Sequence, residues 1–160
     1  MGGGGGGGRD TLGDISGLER KAKEIIKQSE GRLRNVFISF AYEDIQDVQA
    51  LRAQSANENC DIAFNDYSVK DPFDSKRADY IKQKLVDRIN QTSVTVVYLS
   101  PETEKSSWVR WEVEKSLELG KTVVATHKGN MPPSNLPPWV KTFDIKIVPW
   151  SGLSGEISRE

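Results

Sequence analysis

The chain has one cysteine and one histidine in 160 residues. An intramolecular disulfide is impossible, and a Cys/His zinc site is not expected. Cys60, beside Ile62-Ala63-Phe64, reads as a small core residue. Basic excess is also missing: 22 Lys and Arg face 23 Asp and Glu, a formal net charge of −1. Phosphate-backbone binding needs the opposite balance, so no nucleic-acid role is expected. No apolar run approaches the roughly 20 residues of a membrane span, and no signal peptide opens the sequence. A cytoplasmic domain that neither crosses nor docks on a membrane is the expectation. Dinucleotide fingerprints are absent too. The glycine run Gly2–Gly8 follows no strand and carries no G-x-G-x-x-G information.

What remains is an ordinary composition, 36% hydrophobic and 28% charged, large enough for one self-sufficient core. Residues 1–16 read as a flexible Gly-rich tail. Residues 17–31 read as an amphipathic helix, with Leu18, Ala22, Ile25 and Ile26 on one stripe and Gly31 as its stop. Residues 35–150 form the main domain, and 151–160 a C-terminal tail.

Within the domain, strands and helices alternate. Val36–Phe40 is a continuous apolar run, as in a strand covered on both faces. Asp44–Glu58 is helical, Asp61–Phe64 a short strand, Asn65–Asp74 a polar loop, and Ser75–Asn90 a helix with Ala78, Ile81, Leu85 and Ile89 along one side. Val94–Leu99 is the strongest strand. Ser106–Leu119 is a helix that Gly120 ends, and Thr122–Thr126 a buried strand. The segment Met131–Pro138, with four prolines, can be neither helix nor interior strand. Asp144–Val148 alternates as an edge strand does. This order implies an α/β fold: a flavodoxin-like, five-stranded parallel sheet, order 2-1-3-4-5, with helices on both faces. Ligands of such sheets sit beyond the carboxyl ends of the strands where the order reverses. Here that crevice lies between the strand ending at Phe40 and the strand ending at Leu99.

Three common tenants of the crevice are disfavoured. Glu43 and Asp44 would repel a flavin phosphate. Ser100-Pro101 stands where a receiver domain needs its aspartate. The nucleotide fingerprint of a dehydrogenase is missing after the first strand. The segment Trp108-Val109-Arg110-Trp111-Glu112, however, begins the helix beside the crevice. Trp108 and Glu112 are four apart and share a helix face. A carboxylate beside an aromatic wall can stabilise a cation. Spacing alone leaves a plainer reading open, in which Val109, Val113 and Leu117 form the buried stripe and Glu112 is a solvated acid near Lys115 or Ser116. Trp108, Trp111, Phe40 and Tyr42 could each be packing residues. His127 reads as structural or exposed, and Asp66 and Asp71 as turn residues.

Three boxes carry a resemblance. Val36-Phe37-Ile38-Ser39-Phe40-Ala41-Tyr42-Glu43-Asp44 resembles the opening box of TIR-like domains. Asn90 to Ser100 resembles their third strand, and Trp108-Val109-Arg110-Trp111-Glu112-Val113 resembles their W-x-x-x-E motif. Together, over roughly Asn35–Thr126 and more loosely to Trp150, they are most similar to the TIR-like ThsB proteins of bacterial Thoeris antiphage systems. The resemblance implies an NAD-consuming enzyme that cleaves the nicotinamide–ribose bond and makes a cyclic ADP-ribose isomer or a related ADP-ribose signal. NAD is then substrate rather than cofactor, and no metal is implied. The implied partners are an effector protein activated through that signal and a phage-derived trigger. By motif position, Glu112 matches the catalytic glutamate and Trp108 its tryptophan. Ser39, Phe40 and Tyr42 match the box that helps hold the nucleotide, and Asp66 lies nearby at the end of the second strand. The alternative is a non-catalytic TIR adaptor acting by homotypic self-association, with the Leu18–Ile26 stripe and Trp139 as contact surfaces.

Overall fold

The computed structural model describes residues 17–22, 34–57, 62–66 and 73–159. The chain forms two compact units, residues 1–33 and Arg34–Glu160. In the first, residues 17–22 are helical (α1), with Leu18 exposed. The Gly-rich tail, Ile25, Ile26 and the expected stop at Gly31 lie outside the described residues.

The second unit runs β1 (Arg34–Ser39), α2 (Ile45–Asn57), β2 (Ile62–Asp66), α3 (Ala78–Asn90), β3 (Val94–Tyr98), α4 (Ser107–Glu118), β4 (Thr122–His127), α5 (Pro138–Thr142), β5 (Lys146–Pro149), α6 (Trp150–Arg159). Five strands lie in the order β2-β1-β3-β4-β5, and every neighbouring pair is parallel. Parallel pairing requires crossovers, and the helices between strands supply them. Among the described residues no helix is long and apolar enough to cross a membrane.

Side chains alternate across a strand, and that parity divides the core. Val36 and Ile38 of β1, Phe40 just after it, Val94, Val96 and Tyr98 of β3, and Val124 of β4 face one way, onto Val48 of α2 and Leu153 and Ile157 of α6. Phe37 faces the other way, against Ala78, Ile81, Leu85 and Ile89 of α3 and Trp108 of α4. Val97, Val123 and Ala125 share that second side with Val109 and Val113 of α4 and Trp139 and Val140 of α5. Helices therefore cover both faces of the sheet.

Several expectations are corrected. Residues 151–160 are not a tail: 150–159 form α6, whose Leu153 and Ile157 are each 1% exposed. Spacing of Trp150, Leu153 and Ile157 puts one apolar stripe on the sheet. Asp144 does not open β5. It has φ +53° and ends α5, where the Ile145 amide donates to the Val140 carbonyl, a helix stop that aspartate tolerates. Residues 73–77 form turns, and α3 begins only at Ala78. A 3₁₀ turn at Tyr42–Asp44 precedes α2. Trp139 is 7% exposed within the core, so it offers no contact surface.

At the end of α4, Gly120 has φ +76°. Its amide donates to the Leu117 carbonyl, and that of Lys121 to the Ser116 carbonyl. This paired closure needs the left-handed conformation that glycine adopts without a Cβ penalty. Gly120→Ala is expected to lower stability by about 1 kcal/mol, read as a lower denaturant midpoint with an unchanged m-value.

Candidate active site

The order of the sheet reverses between β1 and β3, and their carboxyl ends open onto a cavity of about 330 Å³. Phe40, Tyr42 and Glu43 after β1 line it, with Phe73, Glu102 and Lys105, and with Ser106, Ser107, Trp108 and Glu112 at the start of α4.

Local chemistry fixes the start of α4. The Ser106 side chain accepts a hydrogen bond from the Val109 amide at 3.2 Å, the N-cap arrangement that satisfies an orphan donor of the first turn. Ahead of it, a short polar network organises the loop. The Ser100 hydroxyl makes a short hydrogen bond to the Asp44 carboxylate and accepts from the Glu102 amide. The Thr103 hydroxyl accepts from the Ser100 amide and donates to the Tyr98 carbonyl. Asp44 thereby joins the end of β1 to the end of β3 across the crevice. Its burial, more than the opposing Ser100 hydrogen bond, pushes its carboxyl above the usual range, and Asp47, Glu102 and Glu43 add repulsion.

Glu112 is the unusual group. It is 2% exposed, so the solvated acid that spacing left open is not what the fold builds. Lys115 pairs instead with Glu118 at 3.0 Å. The buried residues of α4 are Trp108, Val109, Glu112, Val113 and Ser116, while Leu117 is 36% exposed. Ser116 tolerates burial because its hydroxyl donates to the Glu112 carbonyl and lies 2.8 Å from the Thr95 hydroxyl. That pair closes one polar contact between α4 and the sheet and sets the helix rotation.

With that rotation, Glu112 faces the same side of the sheet as Ser39. The fully buried Ser39 hydroxyl donates to Oε1 of Glu112 at 3.3 Å. Oε2 is buried and, among the described residues, accepts no hydrogen bond. Burial drives the Glu112 carboxyl well above the ordinary carboxylate range, and the single Ser39 hydrogen bond opposes this only weakly. The result is a buried carboxyl group beside a cavity, with one oxygen hydrogen-bonded to Ser39 and its ionised form disfavoured by burial.

Part of the wall is aromatic, formed by Phe40, Tyr42, Phe73 and Trp108. Trp108, 8% exposed, meets Phe73 edge-on at 4.9 Å between centroids and Trp111 at 6.2 Å. The Lys82 ammonium lies 4.4 Å from the centre of the Phe73 ring and 5.8 Å from that of Trp111, backing the wall with cation–π contacts. Trp111 packs behind Trp108 and does not line the cavity.

The fold thus brings together Glu112, Trp108, Phe40 and Tyr42 at the cavity. Ser39 reaches it through Glu112. Asp66 ends β2 in register with Ile38; its side chain lies outside the described residues, as does Asp71. His127 is buried at the end of β4, where its Nδ1 meets the Lys128 carbonyl at 3.2 Å. Sequence reading missed Phe73, Glu102, Lys105, Ser106 and Ser107 as cavity residues. A serine before a helix is the one available signal among them, since it marks the N-cap.

Against known proteins, the fold is that of a TIR domain. The chain is similar to the TIR domain of the Toll-related receptor TRR-2 from the lower metazoan Hydra magnipapillata, with a TM-score of 0.51, 16% identity, and coverage of 78% of this chain and 98% of that one. The family described as "Thoeris protein ThsB, TIR-like domain" matches residues 37–131, more than half of the sequence. The chain belongs to that family. It is also 31% identical over 100 residues to a Bacillus cereus (strain MSX-D12) protein named "Putative cyclic ADP-D-ribose synthase ThsB1", covering 59% of this chain. It spans about half, 51%, of that relative's length.

Proposed function

We propose that this domain cleaves NAD at the nicotinamide–ribose bond and makes a cyclic ADP-ribose isomer, or a related ADP-ribose signal, that activates an effector protein in antiphage defence. One observation carries the reading: a fully buried carboxyl whose Oε2 has no hydrogen-bond partner among the described residues, on the wall of a partly aromatic cavity at the strand-order reversal. Family membership and the name of the Bacillus relative support the same chemistry.

In the proposed reaction the C1′–N1 bond breaks heterolytically. Its electron pair goes to the pyridinium nitrogen, so nicotinamide leaves neutral and needs no acid to protonate it. C1′ gains oxocarbenium character, as in glycoside cleavage. The arriving pyridinium cation favours the ionised form of Glu112. That carboxylate accepts hydrogen bonds from the ribose hydroxyls and stabilises the developing charge. Ser39 holds Oε1 and leaves Oε2 for the sugar. Trp108, Phe73, Phe40 and Tyr42 limit water, favouring capture of C1′ by a nucleophilic atom of the same molecule, with release of one proton.

The test is incubation of purified protein with NAD, with and without a phage-derived trigger, followed by quantification of nicotinamide and mass spectrometry of the product. Free nicotinamide and a product of cyclic ADP-ribose mass are expected. In parallel, a non-hydrolysable NAD analogue should raise the melting temperature by mass action. An unchanged melting temperature at saturating analogue across a range of protein concentrations, together with intact NAD, favours the homotypic adaptor instead.

A further inference from the structure

We infer that Lys105 and the first turn of α4 form an anion subsite that takes the diphosphate of the dinucleotide. The inference rests on the NAD reading of this cavity and adds the part that reads the phosphates. Four carboxyl or amino side chains line the cavity: Glu43, Glu102, Glu112 and Lys105. NAD is itself uneven, with a pyridinium cation at one end and a diphosphate in the middle. The acids suit the cation and repel the phosphates. Only the Lys105 side of the lining can receive them.

Three observations place the subsite there. Lys105 is exposed, lines the cavity and, among the described residues, forms no ion pair that would draw its ammonium away. Lys105 directly precedes Ser106 and Ser107, which line the same cavity at the N-terminus of a twelve-residue helix. Such a helix end carries partial positive charge and N–H groups with no intrahelical acceptor. Independently, the buried, unpartnered Oε2 of Glu112 marks this cavity as built around a ligand. The loop that carries Lys105 is held by the Ser100, Asp44 and Thr103 hydrogen bonds, so the ammonium is presented from an organised turn.

The experiment measures equilibrium binding of ADP-ribose and of adenosine to wild type, Lys105→Ala, Lys105→Arg and Lys105→Glu at low and high salt, alongside NAD kinetics. Melting curves confirm that each variant is folded. Lys105→Ala should weaken ADP-ribose about tenfold, as loss of one charge-assisted contact does. Lys105→Glu should weaken it further, and Lys105→Arg should stay near wild type. Adenosine, which lacks the diphosphate, should change less than about twofold. The ADP-ribose difference should shrink at high salt, and the NAD effect should fall on KM rather than kcat. Equal ADP-ribose affinity in wild type and Lys105→Ala, equal loss for adenosine, or no ADP-ribose binding by wild type overturns the subsite. If NAD is not cleaved while ADP-ribose binding still depends on Lys105, the cleavage reading falls and the subsite stands. If NAD is cleaved with the same KM by both proteins, the subsite falls and the cleavage reading stands.

Discussion

Glu112→Gln is expected to reduce nicotinamide release by on the order of 10³-fold, the scale of losing one preorganised electrostatic group, while making the protein more stable. Glutamine keeps the size and an acceptor for the Ser39 hydroxyl but cannot carry charge toward the ribose. The stability gain follows from protonation. In the unfolded chain Glu112 loses its proton in the ordinary range; in the fold, burial makes it hold that proton to higher pH. Between those two points the folded state binds more protons than the unfolded one, so stability falls as pH rises. Below about pH 4 both states are protonated and the penalty vanishes. Melting temperatures of wild type and Glu112→Gln should therefore converge near pH 4 and separate progressively toward neutral pH, with the mutant higher. Asp44 is also raised, but it is common to both proteins and cancels in the difference. Equal separation at every pH contradicts an electrostatic origin. An active site that is less stable than its inert variant is a common outcome where function needs a strained group.

The second large effect concerns α6. A chain ending at Pro149 is expected not to fold, because it uncovers the part of one sheet face where Leu153 and Ile157 pack against the β1–β3–β4 core. Burying such a side chain contributes about 2–5 kcal/mol against its alanine truncation. Net domain stability is only about 5–15 kcal/mol. Leu153→Ala alone should lower the melting temperature by on the order of 10 °C. The double change with Ile157 should fall short of the sum, because the two residues are neighbours on one helix. Circular dichroism of the truncated chain should show no cooperative transition. A two-state melt close to that of the full chain contradicts this account of the core.

Much of the parallel α/β arrangement was legible because its signals are strong. The β-branched runs of β1, β3 and β4 contrast with the 3.6-residue stripe of α3, and Gly120 marks a true helix end. What stayed hidden has physical reasons. α6 contains Gly152 and Gly155, which lower helix propensity, and only burial against the sheet overrides them. In α4 the buried set Val109, Glu112, Val113 and Ser116 follows the ideal i, i+3, i+4, i+7 spacing, yet two of its four members are polar. Those polar members hide the stripe, and Leu117 offers an apolar residue one position aside. The partner that makes Ser116 acceptable, Thr95, lies on another element, and no local pattern announces it. Phe73 falls within the segment Asn65–Asp74, which has no period, and its place against Trp108 is a tertiary fact. The pairing of Trp108 with Glu112 was readable from helical spacing alone.

The most direct measurement is a crystal structure of the wild-type protein with a non-hydrolysable NAD analogue. A ribose hydroxyl oxygen is expected within about 3 Å of Oε2 of Glu112, with Ser39 still on Oε1 and the nicotinamide ring against the aromatic wall of Trp108. An analogue seated elsewhere on the sheet, or seated in this cavity with Oε2 still without a partner, contradicts this expectation.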